Sequence, residues 1–270
     1  GSWTTAATGW RARRDEMTRA SRPVTERMIA AAGIQPGMRV LDLASGVGDP
    51  SLTIARVVGP SGAVLGLDIT AAMLDAARDF AREQGLSNVE YRAIASETDL
   101  GVEPESFDAA TCRWGLMFMP DPVAALRQLW TALRPGRRVA VATWAPEERV
   151  PFMNLASDVL RRHVTLPPPA PGPNQFSLPT VGAVTRILTE AGFISASAEP
   201  VELVFFSGPE AASIWEQAAG RSGPAPKILA DLSPEQRDAI RAVAIDQITA
   251  RYGEGPIEIG GEAIVASAAK

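Results

Sequence analysis

The 270-residue chain holds a single cysteine, Cys112, and a single histidine, His163. One cysteine excludes an internal disulfide, and one cysteine with one histidine excludes a zinc cluster of those residues, so no metal site is expected. Lysine occurs only at Lys227 and Lys270, and 26 basic residues against 31 acids leave a net charge of -5. That balance lacks the basic excess of a polyanion-binding domain, and nucleic acid is not an expected partner. No stretch reaches the ~18 consecutive apolar residues of a membrane helix, and the start, Gly1-Ser2-Trp3, has no signal-peptide pattern. A cytoplasmic chain without a membrane partner is expected, and composition says nothing of oligomeric state. What is present, 46% hydrophobic and 21% charged residues, lies near the globular average and is ample for a core.

From Met38 onward, short β-branched runs alternate with helical patterns, the signature of βαβ units on a parallel sheet. The strands read as Arg39 to Leu43, Ala63 to Leu67, Val89 to Ala93, Phe107 to Cys112 and Arg138 to Thr143, with helices at Ser51 to Val58, Ala71 to Glu83 and Pro122 to Leu133. Arg134-Pro135-Gly136 reads as the stop between the third helix and the fifth strand. Beyond Trp144 the pattern changes to a short helix and a run of prolines (Pro167, Pro168, Pro169, Pro171, Pro173), read as an insertion with a stiff arm. A helix at Val181 to Ala191, a strand at Val201 to Phe206, a helix capped by Ser233 and running to about Tyr252, and a last strand at Ile257 to Ala266 complete the chain. The expected organisation is a helical cap segment over 1–33, a cofactor-binding core over 34–144, a lid insertion over 145–180, and the rest of the sheet over 181–270 with a helical insertion at about 208–252.

Chemistry concentrates in Val40-Leu41-Asp42-Leu43-Ala44-Ser45-Gly46-Val47-Gly48-Asp49-Pro50, an apolar strand with an acid, a Gly-x-Gly turn and a helix start. Glycines let a ligand approach the backbone at the carboxyl ends of strands, and Asp49 and Pro50 read as N-cap and first helical residue. Gly-x-Gly alone fits an unliganded turn equally well. A dinucleotide fingerprint wants a glycine where Ser51 stands, and Asp42 repels a pyrophosphate while favouring a cationic ligand, which disfavours a nucleotide-cofactor oxidoreductase. The second strand runs into Asp68, placed to accept both hydroxyls of a ribose, or alternatively a plain helix N-terminal acid. Ile69 and Met73 are placed to flank an adenine, with core packing the other reading of Met73.

With Ser106-Phe107-Asp108-Ala109, Cys112-Arg113-Trp114-Gly115-Leu116-Met117-Phe118-Met119-Pro120-Asp121 and Leu133-Arg134-Pro135-Gly136 following in order, the region from Gln35 to about Trp144 resembles the class I methyltransferases that use S-adenosylmethionine (SAM), particularly the bacterial branch similar to ubiquinone/menaquinone biosynthesis methyltransferases. The resemblance implies an α/β, Rossmann-like sheet of seven strands, the last antiparallel, flanked by helices with helical cap insertions. It also implies SAM as cofactor, S-adenosylhomocysteine (SAH) as product and a small-molecule acceptor methylated at O, N or C, in specialised or quinone-like metabolism. Asp42, Ala44 and Gly46 then surround the methionine part of SAM, Ser45 and Gly48 belong to the same cofactor-binding loop, Asp68 holds the ribose, and Arg113 nears the cofactor through its backbone. Where the family commonly has an adenine-binding Asp this chain has Ala95, so either Ser96 or Glu97 serves in that place or the cofactor binds more weakly, and Phe118 stands where quinone-type relatives often carry histidine. A SAM-binding protein of this fold without methyl transfer is the other reading.

An activated methyl donor demands chiefly in-line placement of the acceptor, with a base only for a protonated nucleophile. Phe152, Ala156, Val159 and His163 share a helical face, which makes His163 the candidate base, against a packed or capping histidine; Glu148 and Asp158 are weaker candidates. Of the aromatic residues in the decorations (Trp3, Trp10, Trp144, Phe152, Phe176, Trp215) and at Trp114, the expected substrate contacts are Trp114, Trp144 and Phe176, the rest holding the cap in place. Arg11, Arg13, Arg14, Arg19 and Arg22 read as an anion site or as a solvated helix face.

Overall fold

A computed structural model describes residues 9, 11, 13–166, 168, 171–220 and 224–270. Trp3, Trp10, Pro167 and Pro169, and with them part of the proline arm, lie outside the described residues.

The chain opens with α1 (Arg14–Ala32), whose end is set by Gly33 in the left-handed conformation. Then come β1 (Arg39–Leu43), α2 (Ser51–Val58), β2 (Ala63–Asp68), α3 (Ala71–Glu83), β3 (Val89–Ala93), β4 (Phe107–Arg113), α4 (Pro122–Ala132) and β5 (Leu133–Trp144). The second part contains α5 (Leu155–Leu160), α6 (Val181–Glu190), β6 (Ile194–Gly208), α7 (Ala211–Ala219), α8 (Pro224–Ala230), α9 (Pro234–Tyr252) and β7 (Ile257–Ala269). The seven strands form one sheet in the order β3-β2-β1-β4-β5-β7-β6. Strands β1 to β5 pair in parallel, and β7 runs antiparallel to both β5 and β6. The chain leaves β1 towards β2 on one side and returns to β4 on the other, so a crevice opens at the carboxyl ends of β1 and β4, where open α/β sheets bind ligands.

Burial follows this layout. Val40, Leu41 and Leu43 of β1 and Phe107, Ala109 and Ala110 of β4 are fully buried, as central parallel strands covered on both faces must be. Thr111 pairs with Asp42 in the ladder and its hydroxyl reaches the Asp42 carboxylate; two residues on, Arg113 meets α1, while Asp42 meets Ser51 of α2. Side chains two apart share a face, so α1 and α2 lie on the same side of the sheet. A smaller core of Val47, Leu52, Met73, Leu74, Ala77, Phe80 and Tyr91 joins α2, α3 and β3.

Besides strand ends that shift by one to three residues, four features differ from the sequence reading. Strand β5 begins at Leu133 and carries Pro135-Gly136 inside it, because α4 already ends at Ala132 and Gly136 takes a positive φ next to the chain's last strand. Strand β6 runs from Ile194 where Val201 was expected; its first half, Ser195-Ala196-Ser197-Ala198, is small and polar and hides the alternation. Helix α2 begins at Ser51 with Pro50 as its cap, since the Asp49 carboxylate is engaged elsewhere. Among the described residues the 208–252 insertion contains three helices, the last opened by Ser233 in a capping box with Gln236, as its Ser-Pro-x-Gln spelling implies.

The arginine-rich start of α1 divides: Arg11, Arg19 and Arg22 stay exposed, as a solvated face implies, while Arg13 and Arg14 are half-buried. Arg11 pairs with Asp79, Arg13 with Glu16, Arg14 with Asp15 and Arg22 with Glu26, and the Arg14 guanidinium covers the Phe80 ring at 4.3 Å. Among the described residues no helix is long and apolar enough to cross a membrane.

Candidate functional site

The loop after β1 is tied to the end of β2 by its own backbone. Ser45 N donates to the Leu67 carbonyl at 3.0 Å, and Gly46 N donates to Asp68 Oδ2 at 3.0 Å. The other oxygen of Asp68 accepts from Thr70 N at 2.8 Å. The Thr70 side chain adds a further donor, so the carboxylate's four lone-pair positions are filled only in part, and Asp68 stands 8% exposed beside the exposed Ile69. Burial raises its pKa, against the two backbone donors that lower it, and Glu97 adds a like charge nearby. Ser96 is folded into a turn in which its hydroxyl meets Thr98, with Ala95 exposed beside it.

Asp42 is the clearest departure from expectation, because its carboxylate is fully buried and does not face the crevice. It accepts hydrogen bonds from Ser51 Oγ and from Thr111 Oγ1, and desolvation pushes its pKa up to about 6 against the pull of those donors. Asp42 therefore anchors α2 and β4 beneath the loop and acts on a ligand only as a charge at a distance. Ser51, which fails the dinucleotide pattern, is the residue that holds it. Gly48 is likewise a packing glycine: its amide goes to the Ser45 carbonyl, and at φ +106 a Cβ would meet Leu52, Tyr91 and Ala77 at 3.0 to 3.2 Å. Met73 is core at 6% exposure, its sulfur 3.9 Å from where a side chain on Gly46 would begin. Ala44 and Gly46 take positive φ, and Ser45 Oγ is buried without a hydrogen-bond partner.

On the other bank of the crevice, Trp114 adopts φ +56 and stacks on Trp144 with centroids 4.1 Å apart and planes at 12°. Trp144 meets Phe152 edge-on at 5.4 Å, and Phe152 stacks on Phe205 at 4.0 Å, so the aromatics of β5, the segment after it and β6 form one column. Trp144 is only 4% exposed and supports Trp114, which corrects its assignment as a direct substrate contact. The Trp114 Nε1 is buried without a partner. Gly115 has no room for a side chain, since a Cβ would come within 2.5 Å of Ala44 Cβ, and this contact sets the two banks against each other.

His163 does not join this site. Helix α5 ends at Leu160, residues 161–163 form a turn closed by His163 N on the Leu160 carbonyl, and His163 is exposed while Phe152, Ala156 and Val159 are buried. The helical phase that aligned it with those residues stops one turn short, so the base assignment is withdrawn. Glu148 and Asp158 are exposed too, the latter paired with Arg161. Phe176 is half-buried against the main core, with no ring contact to Trp114 or Trp144 among those resolved. The segment from Ala145 to Leu160 is packed wall, with Val150, Phe152, Val159 and Leu160 at 2% exposure or less.

Sequence reasoning missed Asp49, Ser21, Thr25 and the side chain of Arg113, which form a buried charged knot beside the loop. The available signal was an arginine at the end of an otherwise apolar strand, a placement that demands a partner. Among the described residues no group of His, Cys, Asp and Glu stands arranged to hold a metal.

Comparison with known proteins places this geometry. The ubiE/COQ5 methyltransferase family matches residues 20–166. Over 107 residues the chain is 42% identical to the 2-phytyl-1,4-naphtoquinone methyltransferase of Synechococcus elongatus, covering 40% of this chain and 46% of that protein. It is 36% identical over 137 residues to the ubiquinone/menaquinone biosynthesis C-methyltransferase UbiE of Cronobacter sakazakii, covering 50% and 54%. The chain thus spans about half the length of the curated relatives it matches. The crystal structure of the YcgJ protein of Bacillus subtilis superposes over 91% of this chain and 97% of its own with a TM-score of 0.54 and 20% identity, a likeness of fold.

Proposed function

The chain belongs to the ubiE/COQ5 methyltransferase family, and from that premise we propose that it binds SAM across the carboxyl ends of β1 and β2 and transfers its methyl group to a small, largely apolar acceptor. The observation that carries this reading is Asp68, a carboxylate fastened by the amides of Gly46 and Thr70, with acceptor positions left for a ribose diol. Ile69 offers the exposed apolar face an adenine needs, and Ala44, Ser45 and Gly46 border the amino-acid end through their backbone. Ser96 and Glu97 are the candidate adenine neighbours in place of the missing acid at Ala95. The cofactor supplies an activated methyl on a sulfonium. What remains for the chain is placement: the Trp114-Gly115 bank holds the acceptor in line across the crevice, and no side chain in the site is assigned as general base. An acceptor with its own nucleophilic centre, such as an electron-rich ring carbon or a phenolate, suits that economy, and a reduced quinone ring is one such acceptor. The region after residue 166, beyond the family match, supplies the β6 and β7 side of the wall and with it the identity of the acceptor.

Incubation with methyl-labelled SAM and reduced naphthoquinone, catechol and amine acceptors tests this. Label transfer to one class with matching SAH release is expected; tight SAM binding without transfer to any of them would favour the reading as a SAM-binding protein.

Asp42 makes the pH dependence specific. Its folded pKa of about 6 lies above the ordinary 3.8, so the native state holds the proton more firmly than the unfolded chain. Between those values stability falls as pH rises, and above pH 6 the ionised form carries the full penalty, on the order of 3 kcal/mol. Asp42→Asn should therefore gain stability over wild type at about pH 7.5 and lose that advantage at about pH 5, measured by urea unfolding. Because the ionised carboxylate favours a sulfonium over a neutral thioether, the affinity of SAM relative to SAH should rise through pH 6 in wild type and stay flat in Asp42→Asn. Parallel profiles for the two proteins would contradict both statements.

A further inference from the structure

Arg113 ends β4 and carries its charge inward, and its partners come from two other parts of the chain, α1 and the start of α2. Its Nη1 donates to Ser21 Oγ at 2.8 Å and to Thr25 Oγ1 at 2.6 Å on α1, its Nη2 donates to the Asp49 carbonyl at 2.9 Å, and Nη1 lies 2.6 Å from the Asp49 carboxylate. The two side chains are 7% and 8% exposed. Burying an ion pair is costly unless further hydrogen bonds complete it, and the Asp49 carboxylate also accepts from Ser21 Oγ at 3.2 Å and Thr53 Oγ1 at 3.1 Å. Apolar residues would hold these elements together at least as strongly; what a completed ion pair adds is one defined placement.

The elements joined are the start of α2 just past the cofactor loop, the end of β4 where Trp114 begins the acceptor bank, and α1. The same guanidinium lies 4.8 Å over the Trp114 ring, whose residue is held at φ +56. Ser21 and Thr25 flank Pro23, the proline inside α1, which has no N–H for the carbonyl one turn back and marks where the helix can bend. In the half before Pro23, Arg14 Nε and Thr18 Oγ1 are buried without hydrogen-bond partners, as is Ser45 Oγ in the loop. Native interiors leave few such atoms unpaired.

We propose that Arg113 is a positioning residue: through Asp49, Ser21 and Thr25 it clamps the first half of α1 onto the cofactor loop and fixes Trp114 relative to that loop, so that closure of α1 and occupancy of the loop are coupled. The coupling rests on the SAM reading, whereas the clamp does not.

Hydrogen exchange on the 270-residue chain tests the two separately. Without ligand, Arg113→Met speeds exchange across residues 14–25 at least about tenfold and leaves α6 at the wild-type rate, the pattern of a local opening. Ser21→Ala, which keeps the ion pair, gives a smaller change in the same segment and carries the test if Arg113→Met does not fold. Adding SAH slows residues 14–25 in wild type, and Arg113→Met binds SAH about tenfold more weakly by calorimetry. Arg113→Lys does not restore that affinity, because an ammonium lacks the fork that reaches Ser21, Thr25 and Asp49 together. A variant that melts earlier yet exchanges at 14–25 as wild type does would overturn the clamp. One that exchanges faster there but binds SAH with wild-type affinity would overturn the coupling. Wild type that binds no SAH, with the ligand-free response intact, overturns the coupling and the SAM reading while upholding the clamp.

Discussion

Asp68→Ala is expected to weaken SAM binding by between about tenfold and a hundredfold without unfolding the chain. Charge-assisted hydrogen bonds contribute ~1.5 to 3 kcal/mol each, and the ribose takes up to two of them from this carboxylate. The substitution also frees the amides of Gly46 and Thr70, so the loop loses its tie to β2 at the same time. Both effects act on the ligand site, while the surrounding strands keep their ladders with β1 and β3. Calorimetric titration of SAM, alongside thermal unfolding of the ligand-free variant, separates lost binding from lost folding. Unchanged affinity would make the acid at the end of β2 a purely structural group.

The second large effect is on stability. Trp144 is 4% exposed and touches Trp114, Phe152 and Phe205, so removing it empties the middle of the aromatic column. Trp144→Ala should cost ~3 to 5 kcal/mol, a large part of the ~5 to 15 kcal/mol that holds a domain together. It should also loosen Trp114, so acceptor turnover falls further than the folded fraction does. Urea unfolding measures the first effect. A loss under ~1 kcal/mol would mean that the column collapses into the gap and that Trp144 is no strut for the acceptor bank.

What the sequence disclosed was local chemistry. Asp68, the Gly46 turn and the Ser233 cap are each spelled by a few adjacent residues whose backbone or hydrogen-bonding needs have few solutions. Alternating strand and helix patterns pointed to a parallel sheet, the family resemblance implied seven strands with the last antiparallel, and that arrangement is the one found. What remained hidden depends on tertiary placement. Helical spacing put His163 with Phe152 and Val159, but the helix stops at Leu160, and periodicity says nothing about where a short helix ends. Asp42 read as a ligand acid because it borders the loop, whereas Ser51 and Thr111, nine and 69 residues away, draw it inside. The first half of β6 is spelled by serine and alanine, whose small side chains leave no alternation to read. The Arg113 knot joins residues 64 to 92 positions apart, beyond the reach of any local pattern.

The central claim is that the crevice between the Ala44–Gly48 loop and Asp68 is built for SAM rather than for a pyrophosphate cofactor. Titrating the chain with SAM, SAH and NAD under one set of conditions, and following the melting temperature as each is added, tests it most directly, since a ligand that binds the native state raises apparent stability by mass action. The account predicts that SAM and SAH bind and stabilise the chain, that Asp68→Ala reduces both responses, and that NAD gives none. Stabilisation by NAD with no response to SAM or SAH would contradict it.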